Sequence, residues 1–304
     1  MNSAPAPSQP LEGRVIASFG RNYEVRTDSE TLKCVPRGKK SVYACGDIVT
    51  VEHTAPDQGV ILSLQPRRNL LWRSDAFRQK LIAANLTQIV VVVATEPSFS
   101  PLLISRCLVA AETQDIATLI VLNKADLTEQ LEYARQLLAP FQQLGYPIIE
   151  IDALSGDLSS LAQRLAGHSS IFVRQSGMGK STLTNALVPA ANAVTAEISA
   201  VLDSGKHTTT FARAYPFEGG WLIDSPGLQA FGLAHVETDA LPNAFIELRP
   251  HLGHCRFRDC RHEAEPGCAL RTAVENGQIN PIRFEHFLNI RAEIESASRQ
   301  SRGW

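Results

Sequence analysis

The chain has 304 residues, of which 44% are hydrophobic and 20% charged, and its formal net charge is −2. That length and balance suit two or three globular domains and exclude a low-complexity or collagen-like polymer. No apolar run approaches the roughly 18 residues that a membrane-spanning helix needs; the longest runs from Ile89 to Ala94.

The first ten residues, MNSAPAPSQP, carry no charged side chain and are rich in Pro and Ser. They predict a disordered tail over 1–10 and no signal peptide. Short alternating segments follow, such as Arg14-Val-Ile-Ala-Ser18 and Asn22-Tyr-Glu-Val-Arg26, punctuated by Gly20, Gly38, Gly46 and Gly59. This rhythm predicts a small antiparallel β-barrel. The segment from Pro66 to Arg73 reads as a linker.

Beyond it, Gln88-Ile-Val-Val-Val-Val-Ala94, Ala117-Thr-Leu-Ile-Val-Leu-Asn123, Tyr146-Pro-Ile-Ile-Glu-Ile151, Ser170-Ile-Phe-Val173 and Gly220-Trp-Leu-Ile-Asp224 are separated by helical stretches. Apolar strands alternating with helices predict a parallel α/β sheet covered on both faces. From Glu237 onward the chain reads as helices interrupted by a cysteine cluster.

Charge is unevenly spread along these regions. Residues 11–80 hold 12 basic and 8 acidic side chains, residues 81–240 hold 8 and 15, and residues 241–304 hold 9 and 8, all nine of them Arg. More basic flanks around an acidic middle make nucleic acid a candidate partner of the two ends. Solvated surface charge explains the same counts equally well.

Four motifs fall at strand ends. Ile171 to Thr182 has the pattern G-x-x-x-x-G-K-[ST], except that Arg174 replaces its first glycine. Such a loop turns backbone N–H groups toward phosphates at a helix N-terminus, while Lys180 reaches the terminal phosphates and the Ser181 hydroxyl ligates Mg²⁺. Arg fits at 174 only if the backbone stays in an ordinary region or if strain of roughly 1–3 kcal/mol is tolerated. The expectation is nucleotide binding that survives but is weakened. Asn123-Lys-Ala-Asp126 places a carboxylate where it accepts from guanine N1–H and the exocyclic amine, which selects GTP over ATP. In that loop Lys124 is placed to lie along the base and Asn123 to tie it to the phosphate loop. Asp224-Ser-Pro-Gly227 offers a carboxylate to the Mg²⁺ shell and a glycine N–H to a γ-phosphate. Gly205-Lys-His-Thr-Thr-Thr210 is a hydroxyl-rich loop suited to closing over metal and phosphate. Each alone also reads as a capped turn; together they point to a guanine nucleotide.

The base-reading motif precedes the phosphate loop by about fifty residues, the reverse of the usual order. A sheet whose ligand loops all lie at the carboxyl ends of its strands keeps its site when cut and rejoined elsewhere. Further on, Cys255-x₄-Cys260-x-His262-x₅-Cys268 offers three thiolates and one imidazole within 14 residues. That set matches a closed, structural zinc site, with no position left for catalysis.

With these motifs in this order, the chain resembles the circularly permuted, ribosome-associated GTPases of the RsgA (YjeQ) type over roughly residues 11–290. The resemblance implies a multidomain α/β protein. Residues 11–66 would be an RNA-binding OB-type β-barrel, 67–235 a circularly permuted P-loop GTPase sheet, and 236–304 a helical zinc-binding domain. It implies a GTP site made of Asn123, Lys124 and Asp126, the Ala153 backbone at the guanine oxygen, and the phosphate loop Arg174, Gln175, Ser176, Gly177, Met178, Gly179, Lys180, Ser181 and Thr182. Thr208 and Thr209 of the first switch, Asp224 and Gly227 complete the set, with Ser181 and Asp224 at magnesium and one zinc held by Cys255, Cys260, His262 and Cys268. Arg174 and Asp152 depart from the family's usual Gly and Ser.

Leu228 stands where many GTPases carry a water-positioning Gln, so intrinsic hydrolysis is expected to be slow. His207 is the candidate catalytic residue in its place; the other reading is an ordinary polar loop residue. The implied function is a cytoplasmic, monomeric GTPase in late maturation of the small (30S) ribosomal subunit, stimulated by that subunit and gripping its 16S rRNA. An RNA-binding module whose nucleotide function is impaired by Arg174 is the alternative, and an ATP-dependent enzyme conflicts with Asp126.

Overall fold

In the computed structural model, residues 9–38, 42–74, 79–154, 156–175, 177–189, 191, 212–225, 233 and 236–302 are described. Five strands, β1 (Leu11–Phe19), β2 (Asn22–Arg26), β3 (Thr31–Pro36), β4 (Ile48–Ala55) and β5 (Gln58–Leu64), form the barrel. They run in the order β1-β2-β3-β5-β4, and the ring closes because β4 also pairs with β1, Leu11 opposite Val51. Alternation drives this: in β2, Tyr23 and Val25 are buried while Asn22 and Arg26 face solvent. Val15, Tyr23, Val25, Leu32, Val49, Val51 and Ile61 fill the interior.

The stretch read as a linker is structured. β6 (Leu70–Ser74) pairs antiparallel with β7 (Gln79–Ala84), and Leu71 is fully buried. Trp72 and Leu81, nine residues apart in sequence, are paired across this hairpin. The barrel meets the ribbon at Gly46, whose φ is +94° and where an added Cβ would lie 2.2 Å from the Ala84 carbonyl oxygen. Only glycine permits that approach. Arg67 fastens the junction, donating from Nε and Nη2 to the two oxygens of buried Asp47 at 2.7 Å each.

The larger sheet contains β8 (Gln88–Ala94), β9 (Ala117–Asn123), β10 (Ile148–Glu150), β11 (Ser169–Arg174), β12 (Arg213–Phe217) and β13 (Gly220–Asp224). The order β10-β9-β8-β11-β13 is parallel throughout. All seven residues of β8 are buried, as a central strand covered on both faces requires. At the edge the sheet is mixed, because β12 is antiparallel to β13 and meets β1 at Ala17 and Arg213. Helices α1 (Pro101–Glu112), α2 (Thr128–Gln143), α3 (Ser159–Leu165) and α4 (Lys180–Leu187) lie between the strands. In α2 a single stripe, Ala134, Leu138 and Phe141, is buried.

Two short 3₁₀ helices, Leu241–Ala244 and Ile246–His251, lead to α5 (Ala269–Glu275) and α6 (Pro281–Arg302). α6 is tied to α1 by a buried cation. Arg283, 1% exposed, donates to Glu247 at 2.7 Å and to the Ser105 hydroxyl at 2.6 Å, and its guanidinium lies 4.5 Å from the Phe245 ring. The Ser105 hydroxyl, which accepts from Arg283, also hydrogen-bonds with His286 Nδ1 at 2.8 Å. Among the described residues no helix is long and apolar enough to cross a membrane.

Candidate active site and metal cluster

The carboxyl ends of β8, β9, β11 and β13 lie side by side, and the loops leaving them hold the polar residues that the motifs single out. Asn123 closes β9 and is 2% exposed. Its Nδ2 donates to the Met178 carbonyl at 3.0 Å, and its Oδ1 accepts from the Ala153 N–H at 3.1 Å. One amide thus joins three loops that are distant in sequence. The Ala153 N–H, expected at the guanine oxygen, is engaged here with Asn123. The next N–H, of Leu154, donates to Asp152 Oδ1 at 2.9 Å, so aspartate in place of serine braces the turn.

Lys124 has a φ of +59°, and its ammonium reaches the Glu96 carbonyl at 2.6 Å. Asp126 is exposed at the mouth of the loop, and its carbonyl accepts from the Thr128 N–H at the start of α2. In the phosphate loop, Gly179 adopts φ +80° and caps α4. A Cβ there would fall 2.4 Å from Asn123 Nδ2, so glycine is needed both for the turn and for the bridging amide. Met178 is buried and Thr182 half-buried; for Lys180 and Ser181 the backbone alone is described, as the first residues of α4. The N-terminus of α4 therefore opens at the loop, with its free N–H groups there.

Arg174 is the last residue of β11, in extended backbone and outside the left-handed region. The strain considered for an Arg at this position is absent, and with it the basis for weakened binding. Its Nη1 donates to the Gln175 carbonyl at 3.1 Å, its Nε is buried with no partner among the described residues, and loss of water lowers its pKa. Asp224 ends β13, half-buried and in register with Phe172 of β11. Ser176, His207, Thr208, Thr209 and Gly227 lie outside the described residues, as do Gly205 and Leu228.

Sequence reasoning passed over the segment from Thr95 to Ser100. Thr95 Oγ1 donates to the Lys124 carbonyl at 2.8 Å, and the Ser100 N–H donates to Gln175 Oε1 at 3.1 Å. This segment binds the base loop to the phosphate loop and then enters α1. Its position directly after the apolar run Ile89 to Ala94 was the available signal, since ligand loops follow strand carboxyl ends.

In the C-terminal region the ligand atoms of Cys255, Cys260, His262 and Cys268 all lie within 4.8 Å of one another. His262 Nδ1 is 3.6 Å from Cys255 Sγ and 3.4 Å from Cys268 Sγ. Burial lowers the His262 pKa, with Arg291 adding to the effect, which favours the neutral ring a metal requires. The Ala269 N–H points at Cys255 Sγ, 3.4 Å away, the kind of outer contact that steadies a thiolate ligand. Away from the cluster, burial pushes Cys34 up to about 11 and Cys45 up to about 12, and both pack as small apolar groups. Four soft donors converging on one point fit a tetrahedral ion such as zinc.

Comparison with known proteins adds to this geometry. The model of the RsgA GTPase family matches residues 64–234. The small ribosomal subunit biogenesis GTPase RsgA of Burkholderia pseudomallei (strain K96243) is 54% identical over 294 residues, covering 95% of this chain and 94% of that protein. The protein of the same description from Ralstonia pickettii (strain 12J) is 49% identical over 301 residues, covering 96% and 94%. Among solved structures, YjeQ from Thermotoga maritima superposes with a TM-score of 0.73 at 29% identity, covering 94% of this chain and 98% of its own. YloQ, described as a circularly permuted GTPase, gives a TM-score of 0.71 at 25% identity, covering 97% and 98%.

Proposed function

The chain belongs to the RsgA GTPase family, and from that premise we propose that it hydrolyses GTP to GDP and phosphate during late assembly of the small ribosomal subunit. The observation that carries the nucleotide reading is the Asn123 amide, which holds the base loop, the phosphate loop and the Ala153 turn together although the first two occur in reversed order. Such a bridge sets the distance between base and phosphates, and a site built on it selects by the base.

In this reading Asp126 accepts the two guanine donors, and Asn123, Lys124 and Ala153 frame the base. The N–H groups of residues 174–182 and the Lys180 ammonium hold the phosphates. Arg174 stands beside them, its Nε without a partner among the described residues. Ser181 and Asp224 are the chain's candidates for magnesium, which supplies charge neutralisation on the phosphate oxygens when bound. Thr208, Thr209 and Gly227 close on the γ-phosphate side, and His207 positions the attacking water in place of a glutamine. One structural zinc on Cys255, Cys260, His262 and Cys268 holds the C-terminal domain.

We assign residues 11–66 to an RNA-binding barrel, 67–235 to the permuted GTPase and 236–304 to the zinc-binding helical domain, in a monomeric, cytoplasmic protein that grips 16S rRNA with its two ends. Competition between nucleotides tests the base selection: GTP and GDP should displace a labelled GTP analogue and ATP should not. Equal displacement by ATP would overturn it.

A further inference from the structure

A cleft of about 510 Å³ opens where the barrel meets the amino-terminal edge of the parallel sheet. It lies at the opposite end of the strands from the nucleotide loops. Its walls include Arg14 of β1, Arg67 and Arg68 ahead of β6, Thr87 just before β8, Ser169 at the start of β11 and Trp221 of β13.

The charge in this cleft is incompletely matched. Asp47 is fully taken by Arg67, through two 2.7 Å bonds. Arg14 donates to the Gly46 carbonyl at 3.2 Å and lies 5.3 Å from the Trp221 ring, and it has no carboxylate partner among the described residues. A ring face and one carbonyl leave most of its donors unused, and burial lowers its pKa accordingly. Arg68 is exposed, also without a carboxylate partner among the described residues. Ser169, 7% exposed, has a buried hydroxyl with no partner there. Two guanidinium groups thus border one opening with their polar capacity unspent. Stacking of Arg14 on Trp221 accounts for the packing and leaves the charge unanswered.

We propose that this cleft binds the phosphate of an unpaired nucleotide, with Arg14 and Arg68 as forked donors and Trp221 beside the base. Forked guanidinium donors match phosphate oxygens, and an aromatic side chain beside them is the usual companion of an unpaired base. The volume lies within the roughly 300–1,000 Å³ range of sites for molecules of that size. The nucleotide comes either from a single RNA strand or from a free mononucleotide. The site is separate from the GTP loops and goes beyond the function proposed for them.

The test uses the full chain with its GTP loops saturated by a non-hydrolysable GTP analogue. Binding of a labelled, short single-stranded oligouridylate is followed by fluorescence anisotropy, and uridine monophosphate is added as competitor. Arg68→Glu and Arg14→Gln should each weaken the oligonucleotide by ~10-fold or more, the equivalent of one lost charged contact. Arg135→Glu, on α2 at the far side of the sheet, should leave it unchanged, and all three variants should bind the GTP analogue as the unmutated protein does. Displacement by uridine monophosphate identifies a mononucleotide site; failure to displace identifies a strand site; each supports the cleft. Unchanged oligonucleotide binding in both cleft variants would overturn the proposal while leaving RNA contact elsewhere intact. No binding of either probe to the unmutated protein would overturn it as well. Because Arg68 is exposed, its variant keeps the test decisive even if Arg14→Gln fails to fold.

Discussion

At the scale of the residue, the two most informative positions are Asp126 and Arg174. Asp126 faces two guanine donors in the proposed site, and Asp126→Asn removes one charged acceptor. GTP affinity should fall by roughly 1.5–3 kcal/mol, the worth of a charge-assisted hydrogen bond, as measured by titration with a GTP analogue. Affinity equal to that of the unmutated protein would remove Asp126 from base recognition. Arg174 bears on the departure from the phosphate-loop pattern. Because its backbone is extended, Arg174→Gly relieves no strain there and frees no space that the loop needs. It also introduces glycine at a strand end, at a cost of about 0.5–1 kcal/mol in fold stability. The Gly variant should therefore bind the analogue no more tightly than the parent. Tightening by ~5-fold or more would point to strain at this position after all.

Sequence alone exposes the motif residues, because chemistry restricts their types and spacing. It does not expose the Thr95 hydroxyl or the Gln175 side-chain oxygen, which bond to the Lys124 carbonyl and the Ser100 N–H, backbone groups in loops far along the chain. Backbone partners place no constraint on residue type at the other end, so position after a strand marks the segment but no residue pattern marks these groups.

Among the elements, α1 has an unusual place. Its N-terminal end is held to the phosphate loop through Ser100 and Gln175, and its body is held to α6 through Ser105, Arg283 and His286. Burial, reinforced by Arg283, pushes the His286 pKa down to about 4. The unfolded chain takes up a proton near 6.5, so between those two values the unfolded state binds more protons and stability rises with pH. The junction should be fully stable above pH ~6.5 and lose stability progressively as pH falls toward ~4. His286→Asn should flatten that part of a stability profile measured by chemical denaturation. An identical acid slope in the variant would assign the loss to other groups. The helices themselves follow from apolar spacing, but the α1–α6 contact joins residues 105 and 283, and helical periodicity indicates only that a face is buried, not what covers it.

The cysteine element makes a separate prediction. With four donors within 4.8 Å, the purified, reduced protein should carry about one zinc ion per chain, and chelation should increase amide exchange after residue 240, since metal binding and local folding are linked. A folded, reduced preparation free of metal would contradict the assignment. This cluster was the most legible part of the chain, because thiolate and imidazole ligands close together in sequence rarely serve any other purpose.

Across the whole molecule, the order of barrel, α/β sheet and helical region is apparent from changes of periodicity. The joins between them are not. β12 links the sheet to β1 through Ala17 and Arg213, a long-range pairing that no local window reveals, and the stretch read as a linker is half of a hairpin. The joined architecture sets the nucleotide loops at one end of the strands and an arginine-rich cleft at the other. With Leu228 unable to orient water, the isolated chain should turn over slowly, and a bound subunit should complete the arrangement around His207. The most direct measurement is steady-state GTP hydrolysis by the purified chain, with and without small ribosomal subunits, alongside His207→Ala. The account predicts slow turnover alone and marked stimulation by small subunits, with His207→Ala lowering the stimulated rate by ~10²-fold while GTP affinity stays the same. Turnover that is indifferent to small subunits at saturating GTP would contradict it.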